Sequence, residues 1–138
     1  MSNLIRFGVS LEKKLLSKFD LLLKEKKYFS RSEAIRDLIR ESLIKQEWHE
    51  GKEVAGAITL VYDHHKRDLV NKVLDTQHDF SAIIIALQHV HIDHNNCLEI
   101  LAVKGSTSKV RLLSDSLRSI KGVRHCALSM STTGKDIV

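Results

Sequence analysis

The stretch HVHIDHNNC, residues 89 to 97, brings three histidines and a cysteine into nine positions. His89 and His91 are two residues apart, and in a strand such side chains leave the same face. Cys97 follows a short turn and begins the next antiparallel strand, where its thiolate can lie beside the end of the first. Imidazole and thiolate groups suit nickel, copper, zinc or cobalt, whereas magnesium prefers oxygen. The stretch therefore predicts three ligands of one metal site.

A fourth ligand has to come from elsewhere, and most of the eight histidines are open to it. The candidates are His64, His65, His78, His94 and His125. His78 is attractive because it ends the helix that precedes the first strand, but spacing does not decide whether it serves its own subunit or a neighbour. Glu99 lies two residues after Cys97 and shares its face, so we expect it to orient a ligand rather than bind the metal. The competing interpretation is that these histidines are ordinary ones satisfied by hydrogen bonds.

The elements that must position these residues follow Gly51. EVAGAITLVYDH, SAIIIALQHVHI, CLEILAVKG and VRHCALSM have the composition of strands, and helical patterns cover residues 66–78 and about 107–121. Gly122 is suited to cap the second of these helices. The order strand, helix, strand, strand, helix, strand is that of a ferredoxin-like βαββαβ domain.

The first 50 residues follow another pattern. Residues 4–11, LIRFGVSL, alternate like a half-buried strand, and an amphipathic helix follows within residues 11–29. A second helix begins at SRSE, where Ser30 and Glu33 have the spacing of a capping box, and ends near Gly51. Because one strand and two helices bury little surface alone, we expect the strand to pair with its copy from a second subunit.

Such a paired ribbon would present Arg6, Gly8 and Ser10 on its outer face. A two-stranded ribbon fits the DNA major groove, where Arg and Ser can contact base edges and glycine allows close approach. The start of the second helix, residues 30–32, could hold a backbone phosphate. The alternative is a ribbon that only dimerises, with its polar face in water.

Composition adds weaker limits. The 138 residues contain 22 Lys and Arg against 17 Asp and Glu, and the pI near 9.3 is compatible with an anionic partner such as nucleic acid. Two cysteines and no hydrophobic leader favour a reduced cytoplasmic protein. The longest apolar run, SAIIIAL, is far shorter than the ~20 residues that span a bilayer, so we expect no membrane insertion.

The segments IRFGVSLEKKLL, YFSRSEAIRDLIR, TQH, HVHIDHNNCLE and KGVRH together resemble the NikR family of nickel-responsive transcriptional regulators, over nearly the whole chain. The resemblance implies an α+β chain with a ribbon-helix-helix DNA-binding domain at residues 1–48. It also implies an ACT-like, ferredoxin-like metal-binding and tetramerisation domain at 53–138, and a homotetramer built as a dimer of dimers. The implied metal is square-planar Ni(II), held by His89, His91 and Cys97 of one subunit and His78 of the opposing subunit.

The resemblance extends to further positions. It implies a second cation between the domains, bound by Glu33 and Asp37 with carbonyls near RSIKGV, although solvated acids or helix salt bridges would explain that pair equally simply. Lys66 and Arg67 match basic positions that can approach the DNA backbone. Gly8 stands where a hydroxyl residue is common, which concerns the operator sequence more than DNA binding itself. The segment YDHH offers alternative ligands before the final site closes, namely Asp63, His64 and His65.

We therefore predict a cytoplasmic regulator that binds palindromic half-sites of double-stranded operator DNA when nickel is bound and represses nickel-uptake genes. A nickel storage or trafficking protein is the alternative, and it would bind the metal without gaining affinity for DNA. An enzyme with a metal-activated water and Glu99 as general base is disfavoured. It leaves the N-terminal ribbon without a purpose, and no nucleophile motif or phosphate loop accompanies it.

Overall fold

The computed structural model describes residues 3–138, and the chain divides into two compact units, Met1–Ile39 and Arg40–Val138. Two helices come first, and a strand, a helix, two strands, a helix and a last strand follow. The helices are α1 Lys13–Glu25, α2 Arg31–Glu50, α3 Arg67–Asp79 and α4 Thr107–Arg118. The strands are β1 Glu53–Tyr62, β2 Ile84–His91, β3 Cys97–Ser106 and β4 His125–Met130.

The N-terminal unit buries little of its apolar surface. Residues 3–12 form no strand within the described chain, and the apolar side chains at alternate positions are exposed, from 44% at Leu11 to 88% at Ile5. Across residues 3–39, Leu23 and Ala34 are the buried side chains. A strand needs a partner to satisfy its backbone, so the predicted pairing of residues 4–11 with a second copy stays a prediction.

Hydrogen-bonded caps are found at the start of α2 and at the end of α1. The Ser30 Oγ accepts a hydrogen bond from the Glu33 N–H at 3.2 Å, as the capping-box spacing predicted. The Glu33 carboxylate in turn accepts from the Phe29 N–H at 3.3 Å. α1 closes with bonds from the Tyr28 N–H to the Leu23 carbonyl and from Lys27 to Lys24, the pattern of a Schellman motif.

The C-terminal unit contains a four-stranded sheet in the order β2-β3-β1-β4, with every pairing antiparallel. This is the strand order of the split βαβ pattern, so the ferredoxin-like prediction is confirmed for this unit. The core includes side chains of β1, β3, β4, α3 and α4, among them Leu60, Leu101, Val73 and Leu113, and β2 adds the partly buried Ile84 at its start. β1 and β3 are the two central strands of the sheet, and their buried side chains pack with those of α3 and α4.

The segment that joins the two halves of the sequence is helical almost to its end. α2 continues to Glu50, the chain turns at Gly51 with φ 74°, and β1 begins at Glu53. Trp48 is 2% exposed and belongs to the core of the C-terminal unit. The division between compact units lies between Ile39 and Arg40, and the domain bounds 1–48 and 53–138 stay a prediction.

Candidate metal centre

The β2–β3 hairpin aligns the predicted ligands in pairs. His89 lies opposite Glu99, and His91 lies opposite Cys97. The intervening turn is held by Asp93, whose Oδ1 accepts the backbone N–H groups of Asn95 at 2.9 Å and Asn96 at 2.8 Å. This short turn fixes the register, so every second side chain of both strands faces the same way.

His89, Cys97 and Glu99 converge at the end of this hairpin. One ligand atom from each lies within 4.8 Å of the others. Cys97 and Glu99 are buried and His89 is exposed, so the cluster reaches from the core to the surface. Nitrogen and sulfur donors in this proximity fit a borderline or soft divalent ion such as nickel.

Within the cluster, Glu99 makes side-chain contacts with three neighbouring residues. Its Oε2 accepts a hydrogen bond from the Tyr62 hydroxyl, and its Oε1 accepts from the Gln77 Nε2 at 2.9 Å. The His89 Nδ1 is 3.5 Å from Oε2, which leaves the Nε2 of that imidazole for a metal. Burial raises the pKa of Glu99 to about 7.

Cys97 is fully buried. Its Sγ donates to the Tyr62 carbonyl oxygen at 3.4 Å, and burial raises the pKa of the thiol. The metal-free protein therefore holds a thiol here, and a metal that binds the sulfur must displace the proton.

His91 lies beside the cluster rather than in it. Its ring stacks on that of His64, with 4.4 Å between the centroids and 6° between the planes. The His89 ring is 5.2 Å away and nearly perpendicular. The structure thus brings the two predicted histidine ligands next to each other, and His91 faces a third imidazole in this single chain.

The YDHH segment continues this row of imidazoles towards the hairpin turn. The centroid distances are 4.3 Å from His64 to His65 and 5.0 Å from His65 to His94. The Asp63 carboxylate accepts the His65 N–H at 2.9 Å, and this bond holds the pKa of Asp63 below its usual value. Burial and the neighbouring His65 lower the pKa of His64, whose Nδ1 has no hydrogen-bond partner among residues 3–138.

His78 lies in the last turn of α3 with an exposed side chain and is not part of the cluster. Its expected role in the site of an opposing subunit stays a prediction. Gln77, the preceding residue, is buried against Glu99 instead. Sequence reasoning missed Gln77 and Tyr62, although the pairing of Tyr62 with Cys97 across β1 and β3 is a signal that a strand alignment could have found.

The other predicted positions lie outside this cluster. The Tyr28 hydroxyl donates to the Asp37 carboxylate at 2.8 Å, and Glu33 takes part in the cap of α2, so both carboxylates of the suggested cation site have local partners. The positions suggested for DNA contact are exposed, namely Arg6, Gly8 and Ser10 in the N-terminal segment and Lys66 and Arg67 at the start of α3. Within residues 3–138, each helix is too short or too polar to cross a membrane.

Comparison with known proteins adds three findings. A family model described as the NikR C-terminal nickel-binding domain matches residues 55–131. A protein of Syntrophus aciditrophicus that is named as a nickel-responsive regulator is 58% identical, over 98% of each chain. A protein of the same name from Chlorobium limicola is 56% identical, over 97% of this chain and all of its own.

A solved structure resembles part of this chain in fold. The uncharacterized protein TM1266 from Thermotoga maritima has a TM-score of 0.52 and 21% identity, covering 57% of this chain and 98% of its own. At this identity the likeness concerns the fold alone.

Proposed function

This chain belongs to the NikR family of nickel-responsive regulators, and we propose that it represses nickel-uptake genes by binding operator DNA when nickel is bound. The observation that carries the proposal is the convergence of His89, Cys97 and Glu99 at the end of the β2–β3 hairpin. Its relatives are named as regulators, and the chain is a regulator rather than an enzyme. As a DNA-binding protein it would act in the cytoplasm.

The donor set supports nickel as the signal. His89 and Cys97 would hold the ion, His91 would join them by turning from His64, and His78 of an opposing subunit would complete the set. A bound nickel ion would supply a link between ligands of two subunits. Glu99 would keep the His89 ring in place through Nδ1, and Tyr62 and Gln77 would hold the Glu99 carboxylate.

The N-terminal segment supports DNA binding. Ile5, Phe7 and Val9 expose apolar side chains at alternate positions, which a second copy paired as an antiparallel ribbon would cover. Arg6, Gly8 and Ser10 would then lie on the opposite face, available to base edges in the major groove. Lys66 and Arg67 would contact the phosphate backbone and contribute affinity rather than sequence preference.

Nickel can regulate DNA binding only if it favours one arrangement of the molecule over others. We expect a homotetramer, a dimer of dimers, in which nickel held between subunits favours the arrangement whose two ribbons reach both half-sites of a palindromic operator. By linkage, operator DNA must then tighten nickel binding by the same factor. A homotetramer without differential affinity would bind nickel and leave DNA binding unchanged.

Two further sites belong to this proposal. Asp63, His64 and His65 would offer ligands to the metal before His91 turns into the final site, since His64 already stacks on His91. A second cation would bind at Glu33 and Asp37 if it displaced their present hydrogen bonds. Cation binding at those carboxylates would be detected by its loss in Asp37→Asn.

The test is operator binding at fixed salt, with and without Ni(II), on the protein's own upstream region and on promoters of nickel transporters. Wild type is expected to gain affinity with nickel, and His89→Ala is expected to lose that gain. His49→Ala removes an exposed histidine of α2 and is the matched control, which should respond like wild type. Storage or trafficking would be favoured instead if wild type binds nickel and its DNA affinity does not change.

A further inference from the structure

α2 is one continuous helix that belongs to both compact units. It extends from Arg31 to Glu50, and the division between the units lies within it, between Ile39 and Arg40. Its C-terminal half therefore forms part of the metal-binding unit. The contacts that hold this half to the sheet therefore determine whether a movement of the sheet also moves the rest of the helix.

Trp48 is the first attachment of this half. The side chain is 2% exposed and packs in the core of the C-terminal unit, and its Nε1 donates to the Ser131 carbonyl oxygen at 2.8 Å. Gly56 of β1 provides the room, because a Cβ there would lie 3.4 Å from the indole and 2.7 Å from the Ser129 carbonyl oxygen. The Arg111 guanidinium lies 5.7 Å from the centre of the ring, at the distance of a cation–π contact.

Glu47 is the second attachment. It is a buried carboxylate, and its Oε1 accepts a hydrogen bond from the Thr132 Oγ1 at 2.9 Å. The Ser131 N–H donates to the Ala55 carbonyl oxygen at 3.0 Å, so the chain after β4 is bound to β1 on one side and to α2 on the other. We call these four residues, Glu47, Trp48, Ser131 and Thr132, the α2 bracket.

The bracket and the metal cluster occupy opposite ends of one strand. β1 meets the bracket at Ala55 and Gly56, and its last residue, Tyr62, contacts both Cys97 and Glu99. β1 lies between β3 and β4 and is paired with both along most of its length, so it cannot shift independently of the sheet. A displacement of the sheet would therefore carry the end of α2 with it while the bracket is intact.

We infer that the α2 bracket is a positioning element through which nickel binding acts on the N-terminal unit. The inference rests on the proposed function, because it concerns the coupling between nickel and DNA. An intact bracket holds the end of α2 at a fixed place on the sheet, so a metal-dependent arrangement of the sheets fixes the position of α2 as well. A loosened bracket lets the helix end move while the metal site remains formed, which separates metal binding from DNA binding.

The test uses the full chain and conservative variants that disturb the bracket separately. Trp48→Phe keeps an aromatic ring and removes the hydrogen bond to Ser131, and Thr132→Val keeps the shape and removes the bond to Glu47. Lys45→Ala, at an exposed position of the same helix, is the control. For each protein, nickel affinity without DNA, operator affinity with and without Ni(II), and amide hydrogen exchange of residues 43–50 are measured.

We expect both bracket variants to keep nickel affinity within about twofold, and their gain in operator affinity on adding nickel to fall by about fivefold or more. Exchange in residues 43–50 should rise in these variants and stay unchanged in Lys45→Ala. The inference is overturned if exchange rises but the nickel-dependent gain in operator affinity equals that of wild type. It is also overturned if that gain falls together with the nickel affinity measured without DNA. If wild type gains no operator affinity, the proposed function fails, and the inference fails with it.

Discussion

Glu99 is the residue whose surroundings most directly suggest a role around the metal rather than on it. Its carboxylate lies 3.5 Å from the His89 Nδ1 and is held by Tyr62 and Gln77. We predict that Glu99→Gln weakens nickel binding by roughly 10–100-fold, the usual effect of losing a partner that orients a ligand. Competition titration against a chelator would measure it. Glu53→Gln, at an exposed position of β1, should bind nickel like wild type, and equal affinities for all three proteins would contradict the prediction.

Cys97 should make nickel binding depend on pH. Burial raises the pKa of its thiol, so the proton is still present near neutral pH and must leave when the sulfur binds metal. Nickel affinity is therefore expected to rise with pH, by about tenfold per unit for one displaced proton. Titration calorimetry in buffers of different ionisation enthalpy would count the protons released. A pH-independent affinity, with no proton released, would contradict a thiolate ligand.

The local part of the site could be predicted from sequence, and the distant part could not. Histidines two apart on a strand and a cysteine just past a short turn meet because hairpin geometry requires it, as the pairing of His91 with Cys97 shows. Gln77 and Tyr62 reach Glu99 from another helix and another strand, and no local spacing encodes that. The orientation of His91 towards His64 depends on packing, and the role of His78 depends on a second subunit.

At the level of elements, the backbone just after α1 is strained because a residue other than glycine has a positive φ there. Lys27 has φ 60° at the position after the helix cap, where glycine is the usual residue of a Schellman motif. We predict that Lys27→Gly stabilises the protein by about 1 kcal/mol, because a side chain at positive φ costs roughly that amount. Chemical denaturation of both proteins would measure the difference.

The matched control for this prediction is the preceding residue. Lys26 has φ −85°, which any residue adopts, so Lys26→Gly should stabilise nothing and cost a few tenths to about 1 kcal/mol in unfolded-state entropy. A lower stability for Lys27→Gly than for wild type would show that the lysine side chain contributes more than its backbone strain costs.

Features that short-range sequence patterns determine could be predicted, and features that depend on residues distant in sequence could not. The cap at Ser30 and the βαββαβ order follow from short-range patterns that the structure confirms. No local pattern indicates that the end of α2 is held by the residues after β4, because Trp48 and Ser131 are 83 positions apart. Residues 4–11 have the alternation of a strand but form none in the described chain, because a strand is completed by backbone hydrogen bonds to a neighbour, which alternation alone does not provide.

On the scale of the whole molecule, the two units differ in how much of their apolar surface they bury within one chain. The C-terminal unit has a continuous core from Trp48 to Cys126. The N-terminal unit leaves Leu4, Ile5, Phe7 and Val9 mostly exposed, and a surface of that kind is typical of an interface. We therefore expect assembly to be required for the N-terminal unit and for the proposed DNA-binding ribbon, while the local metal cluster forms within one chain.

Phe7→Asp tests this division. Phe7 is 72% exposed in the single chain, and in the proposed ribbon it would be buried against a second copy, where an unpaired carboxylate is strongly unfavourable. We predict loss of the N-terminal dimer, a lower mass in sedimentation, and loss of operator binding. Nickel binding should survive, because His89, Cys97 and Glu99 lie in the other unit.

Arg6→Ala is the matched control, since Arg6 would lie on the opposite face of the ribbon. It should keep the mass of wild type and still weaken operator binding, by about 1–3 kcal/mol if the arginine reads a base. A Phe7→Asp protein with wild-type mass and operator affinity would show that residues 4–11 do not pair between subunits. In that case the alternation of the segment would need another partner, and the exposed apolar face would be the place to look for it.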